Sequence, residues 1–188
     1  MTEEVIKYRL IRSKRKTLGL EVKNGELIAR APLRMPKSAI ESLIREKKSW
    51  ILRALEKEKQ REKERSAALP LTKEEIEALK KSARQEFAAL AKQYAPLVGV
   101  SYGKISIRLM RSRWGSCSAK GDLSFNCLLM LAPAEVRAYI AVHELCHRRE
   151  MNHSAAFWRE VARVLLNYRS SVSWLREHGG TLLSRAGF

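Results

Sequence analysis

The stretch best equipped for chemistry is His143-Glu144-Leu145-Cys146-His147, followed by a further histidine, His153. On a helix, residues four apart share a face, so His143 and His147 can point at one ion. Glu144, beside the first of them, can reach a water at that ion without becoming a ligand. Two imidazoles and a third protein ligand leave one position on Zn²⁺ open, which is the arrangement of a catalytic rather than a structural site. A histidine on an apolar helix face is ordinarily a packed core residue. Three of the chain's four histidines lie within residues 143–153, and packing gives no reason for that concentration.

The third ligand is expected to be His153. The gap after His147 lets the helix stop and the chain turn back, and imidazole suits Zn²⁺. Glu150 and Glu160 stay open as oxygen ligands. From the helix Glu150 would crowd the ion, and Glu160 falls two turns into the next predicted helix. Glu144 is the expected general base. It would take a proton from a water that the metal has made acidic and pass it to a leaving amine, which is peptide hydrolysis without a covalent intermediate. One Zn²⁺ per chain and a peptide or protein substrate follow from this reading.

Several elements must position these residues. Val136, Ile140, His143 and His147 form one helical stripe, with Pro133 as the expected first helical residue. Ser154 is a good N-cap for a following helix with Phe157, Trp158, Val161 and Leu165 inward. A last short helix would start at Ser170 or Ser171 and stop at Gly179-Gly180, with His178 as a favourable cation near its end. Ahead of the motif, residues 104–110, 113–118 and 122–126 read as strands, with a turn at Ala119-Lys120-Gly121. Further upstream, residues 5–12, 17–22 and 26–31 alternate, and Asn24-Gly25 marks a hairpin. They are expected to form an antiparallel meander closed by Pro32. Ser38 with Glu41, and Thr72 with Glu75, make two capping boxes. The first opens a helix running to about residue 65, and the second a helix ending near Pro96.

The layout is α+β: a small antiparallel sheet packed on the motif helix, preceded by a β-meander and a helical segment. Apolar periodicity fades over residues 56–70, which divides the chain into 1–70 and 71–188.

Hydrophobic content is 45%, and the chain is long enough to bury a core. No apolar run approaches the ~20 residues that span a bilayer, so no membrane partner is expected. Met1-Thr2-Glu3-Glu4 has neither the basic nor the apolar region of a signal peptide. Three cysteines without paired spacing suggest reduced thiols in a cytoplasm. The net charge of +17 favours polyanions. Lys7 to Lys16 holds no acid, and its Arg12, Lys14, Arg15 and Lys16 are the nucleic-acid-binding candidates.

Taken together, Arg12-Ser13-Lys14-Arg15-Lys16-Thr17, Arg113-Trp114-Gly115-Ser116-Cys117-Ser118, Gly121-Asp122-Leu123-Ser124-Phe125-Asn126, the HExxH segment, Asn152-His153-Ser154 and Phe157-Trp158 resemble the YgjP-like metallopeptidase family. That is a zincin group related to the SprT-like and M48-type peptidases. The resemblance implies a zincin-like fold, zinc ligands at His143, His147 and His153, and a catalytic Glu144. It also implies that Leu123 to Leu131 contains a strand edge that pairs with extended substrate. Trp114 and Asn126 fall at signature positions and are the substrate-binding candidates, although Trp114 also suits a core. Cys117 reads as a buried structural thiol or as a latency ligand. The ligand spacing matches metzincins too, but Glu150 stands where they carry Gly. Asn152 would have to take the left-handed turn instead, and no Met-turn is evident.

Two rival readings use the same residues. One is a metal-dependent hydrolase of nucleotides or other phosphates, although the chain has no Gly-rich phosphate loop and no carboxylate set for Mg²⁺. The other is a basic nucleic-acid-associated protein, in the manner of SprT-like DNA-linked proteases.

Overall fold

The computed structural model describes residues 6–188. Met1 to Glu4, from which no signal peptide is expected, and Val5 of the first expected strand lie outside the described residues. The chain divides into two compact units at Ala67/Ala68.

In the first unit, β1 (Tyr8–Ser13), β2 (Gly19–Lys23) and β3 (Glu26–Pro32) form a mixed sheet of order β1-β3-β2. The hairpin signal is realised: Lys23 faces Glu26 across a turn in which Asn24 has φ 51° and Gly25 φ 72°. Both central residues are left-handed, as a type I′ turn requires. The meander expectation fails for β1, which pairs parallel to β3 from Tyr8↔Leu27 to Ser13↔Pro32. Alternation marks a strand but does not name its neighbour, and the hairpin signal fixes only β2 against β3. Arg12 holds the parallel end, donating to the carbonyls of Pro32 and Leu33 at 2.9 Å.

The expected single helix is two, α1 (Lys37–Glu46) and α2 (Lys48–Ala67), interrupted at Lys47. Ser38 lies inside α1, whose N-cap is Pro36 with no side-chain cap bond, so the first capping box does not form. Ile40, Ile44 and Ile51 pack with Leu27, Ala29 and Ala31 of β3 into a small core.

The second unit opens with α3 (Lys73–Val98). Its capping box is complete: the Thr72 hydroxyl accepts from the Glu75 N–H at 3.1 Å, and the Glu75 carboxylate from the Thr72 N–H at 2.8 Å. Pro96 lies inside the last turn rather than ending the helix, and Gly99, at φ 78°, closes it. β4 (Ile105–Arg108), β5 (Gly115–Cys117) and β6 (Leu123–Asn126) form a second mixed sheet of order β4-β6-β5. β6 runs parallel to β4 and antiparallel to β5, which corrects the all-antiparallel expectation for the same reason as in the first sheet.

A 3-10 helix (Cys127–Leu131) leads to α4 (Ala134–Cys146), for which Pro133 is the N-cap rather than the first helical residue. α5 (Ala155–Val164) starts at the Ser154 cap, whose hydroxyl accepts from the Phe157 N–H. α6 (Tyr168–Ser184) is longer than expected and runs straight through Gly179-Gly180. The core joins Phe87 of α3, Phe125 of β6, Val142 and Leu145 of α4, and Phe157 of α5. Phe87 and Phe125 stack at 4.2 Å. The expected α+β class with small sheets against helices is observed. Among the described residues, no helix is long and apolar enough to cross a membrane.

Candidate metal centre

α4 ends at Cys146, and His147 is its C-cap. The chain leaves through tight turns, with the Glu150 N–H on the Cys146 carbonyl at 3.0 Å. Among the described residues Asn24 is the non-glycine with positive φ, so neither Asn152 nor Glu150 supplies the left-handed step expected here. Arginines tie the turn down instead. Arg149 donates to the Val98 carbonyl at 3.0 Å and Arg163 to that of Leu97 at 2.9 Å, satisfying the open end of α3. Glu160 bridges them, 3.6 Å from Arg149 and 3.0 Å from Arg163. Arg148 donates to the carbonyls of Ser101 at 3.2 Å and Ala119 at 3.0 Å.

This brings His153 back to the helix. Nitrogens of His143, His147 and His153 all lie within 4.8 Å of one another, and Nε2 of His143 faces Nε2 of His153 at 3.0 Å. Glu150 and Glu160 are not part of the group. Glu160 is occupied by the arginines, and Glu150 contributes its backbone carbonyl, 3.0 Å from Nδ1 of His147. That bond puts the proton on Nδ1 and leaves Nε2 of His147 with a free lone pair. Tyr139, one turn before His143, places its hydroxyl 3.3 Å from Nδ1 of His143 and orients the second ring in the same way. Three imidazoles with nitrogens gathered on one point, and no carboxylate among them, are a donor set that fits a borderline-soft cation such as Zn²⁺.

Burial favours the neutral form of His143 and His147. The His143 imidazole is pushed down to about 3 by desolvation, helped by the neighbouring His147 and His153. His147 is lowered too, again by burial first. Glu144 is only 4% exposed. Burial raises its carboxyl to about 8, against the pull of the Arg113 guanidinium. Gly115 of β5 is the reason it fits: a methyl group there would lie 2.5 Å from Oε1 and 2.7 Å from Cγ of Glu144.

The other candidates separate. Trp114 packs against the core and reaches α6, where a Cβ on Gly179 would come within 2.9 Å of Cζ2. The glycine is thus a contact for Trp114 and not a helix stop, and His178 lies within the helix beside Trp174 instead of near its end. Asn126 is fully buried. It donates to the carbonyls of Met110 at 2.8 Å and Arg113 at 3.1 Å, and accepts from the Leu128 N–H at 3.2 Å. Its amide holds the strand connection and has nothing left for a substrate. β6 is the central strand of its sheet, so the strand edge expected within Leu123 to Leu131 is not there; the edges are β4 and β5, and β5 is the one whose Gly115 lies against Glu144. Cys117, on β5, is half-buried, with its thiol 3.5 Å from the Ser118 carbonyl. In the first unit, Arg12 is held by its carbonyls and Arg15 lies against Gly19, while Lys14 and Lys16 are exposed.

Sequence comparison agrees with this geometry: residues 16–77 and 69–178 match the YgjP-like metallopeptidase domain. The chain belongs to the YgjP-like family. Membership places it among the metal-dependent peptidases, which are hydrolases that bind a metal ion. The crystal structure of the metallopeptidase zymogen abylysin from Pyrococcus abyssi is similar over 50% of this chain and 92% of its own, at 26% identity and a TM-score of 0.44. No curated protein matches the sequence significantly.

The signals for Tyr139 and Gly115 were present in the sequence. Tyr139 is four residues before His143 on one helix face, and a glycine within a short strand marks a close approach. The arginine clamp left no comparable trace.

Proposed function

We propose that this chain is a zinc peptidase in which His143, His147 and His153 hold one ion and Glu144 moves the proton during hydrolysis of a peptide bond. The observation that carries the reading is the convergence of three imidazoles, two of them oriented through Nδ1, beside a buried carboxyl. A zinc ion held there would act as a Lewis acid toward a substrate carbonyl and make water a competent nucleophile near neutral pH. Glu144 carries the proton between the attacking water and the leaving amine. A carboxylate beside the ion can take that proton and return it.

β5 offers a place for the substrate backbone. Trp114 and Ser118 exchange main-chain bonds with β6, through the Asn126 N–H on the Trp114 carbonyl and the Ser118 N–H on the Asp122 carbonyl, both at 2.9 Å. Alternate residues of an antiparallel pair point away from the neighbour, so Gly115 and Cys117 present N–H and C=O to the free edge. An extended peptide added there would run past Gly115, the residue that packs on Glu144.

The test is bound metal by elemental mass spectrometry beside a casein-type peptidase assay. The expected result is one zinc per chain, lost in His143→Ala, weakened in His153→Ala and kept in Glu144→Gln, with activity lost in Glu144→Gln. No zinc above background in the zinc-repleted wild type would overturn the proposal.

A further inference from the structure

Trp158 has two sets of neighbours. Its ring centroid lies 5.9 Å from those of both His143 and His153, and it stacks on Tyr168 at 5.5 Å. Beyond that stack, α5 and α6 leave an open groove of about 730 Å³, a volume in the range of ligand sites rather than of a single side chain. Ala162 and Val172 make its apolar walls, and Arg159 and Arg169 stand on its rim. Leu166, 86% exposed, and Val172, 37%, add further apolar surface to its lining. Some arginines of this unit are committed to acids, Arg137 to Glu86 and Arg149 and Arg163 to Glu160, whereas the two at the groove are exposed. Arg159 and Arg169 have no acidic partner among the described residues. The guanidinium of Arg169 lies 5.9 Å from the Tyr168 ring.

We propose that the α5–α6 groove is a side-chain subsite selecting peptides in which an aspartate or glutamate adjoins an apolar residue. The apolar side chain lies over Trp158, Ala162 and Val172, and the carboxylate meets the two arginines. Contiguity with the histidines through Trp158 makes the occupant part of the substrate, and the unpaired cations fix its charge. Guanidinium is well matched to carboxylate. The assignment to substrate rests on the zinc-peptidase reading, and the binding preference is independent of it.

The experiment uses the full chain, zinc-loaded, as Glu144→Gln to prevent turnover. Acetylated, amidated fluorescent peptides differing only in Glu or Gln beside a leucine are compared by anisotropy. The Glu peptide is expected to bind about fivefold tighter, the size expected of two exposed charge pairs. The preference should vanish in Arg159→Gln/Arg169→Gln and persist in Lys59→Gln/Lys63→Gln, which removes equal charge from α2. Equal binding, a preference that survives the arginine changes, or one lost equally in the lysine control would overturn the proposal. So would the absence of saturable binding up to about 1 mM. Equally tight binding of a Gln peptide with a free C-terminus would overturn the assignment to an acidic side chain. If the preference holds but zinc-loaded wild type cleaves neither peptide, the peptidase reading fails and the groove assignment stands. Cleavage of both peptides with no preference has the opposite meaning.

Discussion

Gly115 and Glu144 share one volume: the place a side chain would occupy on β5 is filled by the carboxyl of the α4 glutamate, with Oε1 2.5 Å from where a Cβ would lie. Gly115→Ala must therefore displace Glu144. Peptidase activity should fall about 100-fold or more, the usual worth of a positioned acid–base group, while bound zinc stays near one per chain. Wild-type activity in this variant would show that the carboxyl need not occupy this position.

Tyr139→Phe removes the partner of Nδ1 of His143 and nothing from the core. Zinc affinity should drop about 10- to 100-fold, read by competition with a chromogenic chelator. An unchanged affinity would mean that packing alone orients the ring.

Asn126→Ala leaves a buried N–H and two part-buried carbonyls without their partners. The expected loss is about 2–4 kcal/mol by urea denaturation, since each abandoned buried group costs about 1–3 kcal/mol. A loss below about 0.5 kcal/mol, typical of a neutral surface change, would contradict the clamp.

Gly179→Ala would stabilise an open helix by about 1 kcal/mol. Here the new methyl meets Trp114 at 2.9 Å. Destabilisation of about 1–3 kcal/mol is expected from overpacking, and a raised melting temperature would show that Trp114 yields freely.

The thiols give a pH-dependent signature. Burial raises Cys117 and Cys127, and carries Cys146 to about 12. The fold favours the neutral thiol in each case. Stability from Cys146 is thus complete below the ordinary thiol range and fades as pH climbs toward about 12. At pH 8 a disulfide reagent should label the native protein slowly, at Cys117 first, with Cys127 and Cys146 reacting on unfolding. Immediate labelling of all three thiols in the native protein would contradict this.

The sequence determined what local rules control. Side-chain spacing on one helix paired His143 with His147. Asn24-Gly25 set a turn that needs two left-handed residues, and Thr72 with Glu75 closed a box within one helical turn. Ser154 capped α5 for the same reason. What depended on distant partners was decided only in the tertiary structure. Both parallel pairings, β1 with β3 and β4 with β6, join strands separated by a hairpin, and no alternation pattern specifies such a neighbour. Asn126 looked like a contact for substrate until burial committed its amide to Met110, Arg113 and Leu128. Gly179 looked like a helix stop, but in the folded chain it is the surface on which Trp114 lies. His153 could be named from a short gap, yet its approach to His143 depends on Arg149, Arg163 and Glu160 anchoring the turn to the end of α3. Such long-range bonds form only once the elements have packed, which is why they leave no periodic mark in the sequence.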